Sequence, residues 1–244
     1  MSDFLVFQLY GSLASWGDIA VGEHRPAQNH PSKSAITGLL AAALGIKREA
    51  DERHLALNNS YGVAICVHAA GEVLRDYHTT QVPAGNKNWA TRKDELKFNT
   101  QNLKTILSQR DYQMDAFYLV VLWIKTETAP YSLNELSTAL KHPRFTTSLG
   151  RKSCPPSLPY SPQVFTGKPL KQAVESYLPD DVFMHTSAQG KLRSWYWEFG
   201  LTESELVGLN SMMSYPKRDQ IRSRKRWQFA SRDEFYCSDP QGDH

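Results

Sequence analysis

The stretch AFYLVVLWIK, residues 116–125, is the most hydrophobic in the chain and predicts a buried β-strand. Its unbroken apolar run, residues 117–124, is far shorter than the roughly 20 residues that a membrane-spanning helix needs. Further strands are predicted at residues 4–10, 61–68 and 73–80, where apolar and β-branched side chains alternate or cluster ahead of turns. These stretches predict a sheet with one strongly buried strand.

Helices with recognisable start signals accompany the predicted strands. Ser34 is the expected N-cap of a helix over residues 35–44, and the capping box Ser132-x-x-Glu135 predicts a helix over residues 133–140. The predicted order is β-α-β-β, a polar excursion, and then β-α. This order is close to the ferredoxin-like plan β-α-β-β-α-β with an insertion at one sheet edge, which predicts an α+β fold.

The polar excursion covers residues 81–110. Turn-forming residues such as Pro83 and Gly85 stand near its start, and lysines and arginines run through it. Long segments of this kind in compact domains are usually functional or disordered. We expect residues 1–150 to form the main domain, with the excursion as part of it.

The remaining part of the chain, residues 151–244, is less regular. It opens with a proline-rich connector, and strands are predicted at residues 192–199 and 227–236. We expect this part to be a smaller, irregular β-containing extension packed on the main domain.

The composition excludes several classes of protein. Hydrophobic residues make up 41% of the 244-residue chain, which is enough for a buried core. The 28 basic and 25 acidic residues leave a net charge of only +3, so the distribution of charge matters more than its sum. Three cysteines without a C-x-x-C pair argue against disulfides and zinc. We expect a cytoplasmic protein without cofactor, metal or membrane contact.

Two short loops place basic residues beside small ones at breaks in regular structure. In residues 30–34, HPSKS, the Lys33 ammonium precedes a helix whose free N–H groups attract anions. Residues 149–155, LGRKSCP, offer a glycine, two cations and a hydroxyl. A P-loop requires a glycine before the lysine, and Lys33 lacks one. Both loops suggest contact with phosphate, and the alternative for each is a solvated surface turn.

The segment Arg75-Asp76-Tyr77-His78 raises the question of a ribonuclease. Histidine exchanges protons near neutral pH, and a tyrosine beside a base can assist attack by a 2′-hydroxyl. Neighbouring side chains on a strand point to opposite faces, so Tyr77 and His78 are not expected to converge on one atom. Base stacking or packing of Tyr77 is therefore favoured over catalysis.

A basic run with aromatic neighbours lies near the C-terminus. Residues 217–226 hold six basic side chains against one acidic one, Asp219, and lead into WQF at residues 227–229. Interleaved cations and aromatics suit single-stranded nucleic acid, but they also fit a solvated segment before a strand with core aromatics. Trp16 could likewise stack on a base or pack in the core, and packing in the core is favoured.

A set of short segments follows one another in the order typical of one protein family. They are LASWG at residues 13–17, RP at 25–26, PSKSAITGLL at 31–40, ALGI at 43–46, LRDYHT at 74–79, VLW at 121–123, LGRKSCP at 149–155 and FASR at 229–232. Together they resemble the CasD-type subunits of the CRISPR type I-E Cascade complex, within the RAMP superfamily. The resemblance spans nearly the whole chain and is more specific than any single motif.

The resemblance implies an RRM-like ferredoxin fold with a protruding β-hairpin thumb, which residues 81–110 match by position. It implies a non-catalytic scaffold that grips the 5′ handle of CRISPR RNA (crRNA) and caps the backbone filament beside the large, PAM-reading subunit. The implied partners are crRNA, the backbone filament subunit and the large subunit, with target DNA reached indirectly. The rival interpretation is a metal-independent endoribonuclease that processes precursor crRNA with His78 or Tyr77.

Candidate functional residues follow from these loops and from the resemblance, and no catalytic or metal-binding residue is expected. The candidate RNA-binding residues are Trp16, Arg25, Lys33, Ser34, Tyr77, His78, Gly150, Arg151, Lys152 and Ser153. The candidate thumb residues are Lys87, Trp89, Arg92 and Lys93.

Overall fold

The computed structural model describes residues 2–83, 89–97, 103–178, 193–209 and 213–239. The described strands are β1 (Phe4–Tyr10), β2 (Leu13–Ala14), β3 (Trp16–Gly17), β4 (His24–Arg25), β5 (Ala27–Gln28), β6 (Tyr61–Ala69), β7 (Glu72–Pro83), β8 (Leu103–Met114), β9 (Phe117–Ile124), β10 (Gln163–Phe165), β11 (Arg193–Glu198), β12 (Met213–Ser223) and β13 (Gln228–Asp239). The described helices are α1 (Lys33–Ala43), α2 (Asp51–Ser60), α3 (Arg92–Lys97), α4 (Leu133–Lys141) and α5 (Leu170–Glu175).

A seven-stranded antiparallel sheet forms the centre of the fold. Its strand order is β10-β1-β9-β6-β11-β13-β12, so the last three strands continue the sheet that the first half of the chain begins. The predicted combination of helices with a largely antiparallel sheet is confirmed. Among the described helices, none has the length and apolar character needed to cross a bilayer.

The stretch that predicts a buried strand forms β9, between β1 and β6. Its side chains alternate between two hydrophobic cores. Tyr118 and Val120 belong to the core that α1, α2 and α4 cover, whereas Leu119 and Val121 belong to the core that α5 covers. Because both faces of the sheet are buried here, the strand needs no polar position, which explains its uninterrupted apolar run.

Helix α1 begins two residues earlier than predicted. Ser32, not Ser34, is its N-cap, because the Ser32 Oγ accepts a hydrogen bond from the Ala35 N–H at 3.2 Å. Lys33 is therefore the first residue of the helix rather than part of the loop before it. At α4 the predicted capping box is confirmed, with Ser132 as the N-cap.

The predicted polar excursion contains the end of β7, helix α3 and most of β8. β7 and β8 pair antiparallel along their whole length, from the rung Glu72–Met114 to the rung Pro83–Leu103. The sequence prediction ends the first strand at residue 80 and misses β8. β7 is mostly solvent-exposed, β8 is mostly half-buried, and both are rich in polar residues, so they lack the clear apolar alternation that marks a strand in sequence.

The first part of the basic run forms strand β12 and not a solvated segment. Lys217, Asp219 and Ile221 are buried, while the neighbouring Arg218 and Arg222 are exposed. The strand escapes prediction because two of its three buried positions carry charges. The remaining residues, 224–227, form the turn that leads into β13.

Buried charges join the start of α1 to β11. The Lys33 side chain is only 3% exposed, and its Nζ donates to both carboxylate oxygens of Glu198 at 2.7 Å. Glu198 also accepts hydrogen bonds from the Lys125 ammonium at 3.1 Å and from the Val63 N–H at 2.9 Å. Burial lowers the pKa of Lys33 to about 8, even though the carboxylate favours the charged form.

A second set of buried charges joins α1 to β12 and β13. The Lys33 N–H donates to Asp219 Oδ2 at 2.7 Å, so the protein's own carboxylate occupies the helix N-terminus. Arg232 binds Asp219 through two hydrogen bonds of 2.6 and 2.9 Å, and it reaches Glu234 at 2.6 Å. Helix and strands are thus held by a continuous chain of ion pairs.

Glu234, which Arg232 binds, also contacts His30 and Lys217. Its carboxylate is 3.0 Å from His30 Nε2 and 3.2 Å from Lys217 Nζ. Burial alone would raise the pKa of Glu234, but the hydrogen bond with His30 and the charges of Lys217 and Arg232 hold it well below its usual range. Burial lowers the pKa of His30, although the hydrogen bond with Glu234 favours the protonated form.

The Lys33–Glu198 pair yields a stability prediction. Glu198→Gln leaves a buried ammonium without its counter-charge, and we expect the free energy of unfolding to fall by about 3 kcal/mol. In the double variant Lys33→Met with Glu198→Gln, no buried charge is left unpaired, and the glutamine can still accept from the Val63 N–H. We expect the double variant to regain most of the loss in urea-induced unfolding at pH 7.

The exposed residue Glu203 provides the matched control. Glu203→Gln removes the same charge from the surface and is expected to stay within about 0.5 kcal/mol of the unmodified protein. A double variant no more stable than Glu198→Gln would contradict the assignment of the loss to an unpaired ammonium.

Candidate nucleic-acid interface

A cleft of about 770 Å³ opens beside the N-terminal half of α1. Four segments that are far apart in sequence form its walls: residues 15–20, α1, residues 146–151 and the β12–β13 hairpin. Ser34 from the first predicted phosphate loop and Arg151 from the second both line it. The two loops therefore meet at one cleft.

Three arginines give this cleft a positive character. Arg151, Arg218 and Arg224 line it, and in the described part of the chain none of them has a carboxylate within ion-pair distance. Burial, together with the nearby charge of Arg48, lowers the pKa of Arg224. Guanidinium groups without a carboxylate partner, beside serine and threonine hydroxyls, are suited to bind phosphate oxygens.

The loop that carries Arg151 is held rigidly. Gly150 has a φ of +88°, and a Cβ at this position would lie 1.9 Å from the Ser15 carbonyl oxygen, so glycine is required there. The Ser15 N–H donates to the Leu149 carbonyl at 2.9 Å, which fixes the loop against the first wall of the cleft. This geometry fixes the backbone positions from which the side chains of the next residues, Arg151 to Ser153, extend.

Arg151 itself is positioned by two contacts. Its guanidinium lies 4.8 Å from the centre of the Tyr112 ring, and its Nη2 donates to the Arg25 carbonyl at 3.5 Å. Lys152 and Ser153 follow on the exposed side of the loop, and Arg25 is also exposed. Five of the predicted RNA-binding residues, from Arg25 and from the loop at 150–153, thus lie close together.

Two predicted RNA-binding side chains are corrected by the structure. The Lys33 ammonium does not face the cleft as a free cation, because it is buried and bound to Glu198. Trp16 is 2% exposed, and its ring packs edge-to-face on Tyr118 with centroids 5.8 Å apart. Neither side chain is available to a phosphate or a base in this conformation, and the favoured interpretation of Trp16 as a core residue agrees with its burial.

Tyr77 and His78 lie on β7, outside the lining of the cleft. Tyr77 is 56% exposed, whereas His78 is half-buried and pairs with Asp76 at 2.5 Å. Consecutive positions on the strand turn the two side chains to opposite faces, as the sequence predicts. Within the described ranges, no group of three or more His, Cys, Asp or Glu side chains is placed to hold a metal ion.

The candidate thumb residues lie in the connection between β7 and β8. Arg92 and Lys93 are exposed at the start of α3, and Trp89 is half-buried just before it. Arg92 donates to the Gln81 carbonyl and pairs with Glu95 at 2.5 Å, which ties α3 to the end of β7. Lys87 lies outside the described residues.

The list of predicted residues omits one whole wall of the cleft. Arg218, Arg224 and Trp227 come from β12 and from the turn that follows it. The signal for them is present in the sequence as the basic run that ends in a tryptophan, but the sequence alone does not distinguish it from a solvated segment. What distinguishes it is the pairing of β12 with β13, which places this segment at the cleft.

Comparisons with known proteins agree with this architecture. The family model described as "CRISPR-associated protein (Cas_Cas5)" matches residues 4–233. The CRISPR system Cascade subunit CasD of Escherichia coli (strain K12) is 31% identical over 202 residues, which cover 78% of this chain and 84% of that protein.

Two solved structures share the fold. A chain of a "CRISPR RNA-guided surveillance complex" superimposes with a TM-score of 0.64 at 20% identity, covering 98% of this chain and 91% of that one. A second, titled "Crystal structure of Cas protein", gives a TM-score of 0.63 at 27% identity, covering 98% and 95%. The match over residues 4–233 and the 31% identity to a Cascade subunit show that the chain belongs to the Cas5 family of CRISPR-associated proteins.

Proposed function

We propose that this Cas5-family protein is a non-catalytic RNA-binding scaffold of a type I-E CRISPR surveillance complex, and that its cleft holds the 5′ handle of crRNA. The observation that carries the proposal is the convergence of Arg151, Arg218 and Arg224 on one cleft. The similarity to a protein named as a Cascade subunit supplies the biological context.

The chemistry of the cleft favours a phosphate backbone over a small anion. Its cations come from two separate walls, on the loop at residues 146–151 and on the β12–β13 hairpin, and serine and threonine residues also line it. A single-stranded RNA offers phosphates at regular intervals, so several guanidiniums can each bind one. Such contacts carry no sequence information. They suit a complex whose guide reads its target by base pairing while the protein holds the RNA backbone, as in Cas9-type effectors.

The wider architecture is part of the proposal. We assign the strands β10-β1-β9-β6, with α1 and α4, to an RRM-like ferredoxin core, which the antiparallel order and the β-α-β-β-α-β connectivity support. We assign the β7–β8 hairpin with α3 to the thumb. The main domain, expected over residues 1–150, is then completed by β10 from the following part of the chain, and strands β11, β12 and β13 extend its sheet.

The proposed partners follow from this assignment. The protein binds crRNA, caps the backbone filament through its contact with the filament subunit, and adjoins the large subunit that reads the PAM. Target DNA reaches it indirectly, through the guide. The complex operates in the cytoplasm without a membrane contact or a cofactor of this subunit.

The absence of catalysis is also proposed. A ribonuclease that used Tyr77 and His78 would need both groups at one scissile phosphate, but the two side chains leave opposite faces of β7. His78 already has Asp76 as its partner, and neither residue lines the cleft. We therefore favour the scaffold over the endoribonuclease.

The first test removes two cations from the loop. Arg151→Ala with Lys152→Ala is expected to weaken binding of single-stranded handle RNA on the order of tenfold. The slope of log K against log salt should flatten by about 1.4, at roughly 0.7 for each lost phosphate contact. Filter binding at several salt concentrations measures both quantities, and the RNA should be recovered intact after incubation in EDTA.

The control variant for this test also removes two positive charges, but from residues outside the cleft. Lys141→Ala with Lys171→Ala removes two lysines from α4 and α5, outside the cleft, and is expected to alter neither affinity nor slope beyond about twofold. Unchanged binding by the Arg151/Lys152 variant would exclude the loop from the site. Site-specific cleavage of the RNA would favour the endoribonuclease.

A second test concerns the thumb. Pro83 and Leu103 form the last rung of the hairpin, so residues 84–102 can be replaced by an Asn-Gly turn without disturbing the ladder. We expect a folded protein with an unchanged thermal midpoint that fails to co-purify with the other Cascade subunits. Normal co-purification of this variant would show that the hairpin tip is not needed for assembly.

A further inference from the structure

Trp227 is an exposed tryptophan in a strained position at the rim of the cleft. It is 56% exposed and has a φ of +58°, in the left-handed region that non-glycine residues rarely adopt. A bulky residue in this conformation persists only where the surrounding structure enforces it, and such positions concentrate at functional sites. The position would suit glycine, so a tryptophan there calls for an explanation other than folding.

Helix α2 enforces the conformation of the turn. The Asp51 carboxylate accepts hydrogen bonds from the Ser223 hydroxyl at 2.6 Å and from the Lys225 N–H at 2.8 Å. The Ser223 hydroxyl in turn accepts from the Arg226 N–H at 3.0 Å. Both strands of the hairpin are also fixed in the sheet, so the backbone that carries the Trp227 indole is held in place before any ligand arrives.

The surroundings of the indole are cationic and aromatic. The guanidiniums of Arg224 and Arg48 lie over the indole ring, 4.2 and 4.9 Å from its centroid, and Phe229 packs edge-to-face at 5.6 Å. The ring is nevertheless 56% exposed, so part of its surface is open to a ligand. Among the described residues, neither arginine has a carboxylate within ion-pair distance. Two guanidiniums gathered at one indole without an acidic partner favour an anionic ligand that also has a flat ring.

We propose that Trp227 is a stacking platform for one unpaired base of the bound RNA, and that Arg48 and Arg224 bind the phosphates beside that base. This inference rests on the proposed RNA-binding function and assigns it a nucleotide-binding subsite. A nucleotide combines the two properties that the subsite requires, a planar π-face and a negative charge. Arg224 also lines the cleft, which connects the subsite to the proposed path of the backbone.

The test is a double-mutant cycle between protein and RNA, measured with the full chain. The probes are a short single-stranded RNA with the repeat-derived 5′ sequence and the same RNA with an abasic residue at each position in turn. We expect one position at which loss of the base weakens binding to the unmodified protein about tenfold. Trp227→Ala should lose the same factor with the intact RNA and nothing further with that abasic RNA.

Two further variants separate the ring from the fold. Trp227→Phe keeps a π-face and should bind the intact RNA within about threefold of the unmodified protein. Trp227→Gly suits the left-handed backbone, so it should keep the thermal midpoint while losing the base-dependent affinity. Phe199→Ala removes another exposed ring, 79% exposed and outside the cleft lining, and should change nothing.

The outcomes distinguish this inference from the proposed function. If Trp227→Ala binds intact RNA as well as the unmodified protein does, or loses affinity equally for every abasic RNA, the stacking subsite is wrong while RNA binding stands. Unchanged RNA binding with lost co-purification would assign the ring to a protein contact, which also overturns the subsite. If the unmodified protein binds none of the RNAs, the proposed function and the subsite fail together.

Discussion

The buried ion pairs between α1 and the last three strands are the constraint on which the cleft depends. A buried ammonium or carboxylate is tolerated only with a well-placed partner, so Lys33, Glu198 and Asp219 fix the position of the helix against β11 and β12. The helix forms one wall of the cleft and the β12–β13 hairpin forms another. The spacing between these walls is therefore set by electrostatics in the interior rather than by contacts across the open cleft.

The same arrangement explains why the helix N-terminus is not itself the anion site. The positive end of α1 does bind an anion, but that anion is the Asp219 carboxylate, which also accepts hydrogen bonds from Arg232. Lys33, at the same helix end, neutralises Glu198 and not a ligand. The cations left over for an external partner are the arginines of the cleft rim, whose guanidiniums lack an internal carboxylate among the described residues.

The sequence predicts the parts of this structure that local patterns specify. The apolar run of β9 and the capping box at Ser132 can each be read from neighbouring residues. The burial and ion pairing of Lys33 cannot be predicted in this way, because its partner Glu198 lies 165 positions away in the sequence. A lysine at the start of a helix has the same local sequence whether it is paired or free. Strand β12 cannot be predicted for the same reason, because its buried charges are stable only beside partners on other elements.

A scaffold that grips RNA by phosphates alone faces a problem of register. Successive phosphates are chemically equivalent, so guanidiniums spaced along a cleft bind a strand equally well after a shift of one nucleotide. A rigid ring that accepts one base adds a contact that a shift would have to break and remake. Trp227 is held by the Asp51-anchored turn on one wall, and Arg151 by the Gly150 loop on another. Two fixed points of different chemistry would give a bound strand a defined start, which the role proposed for this protein at the 5′ handle requires.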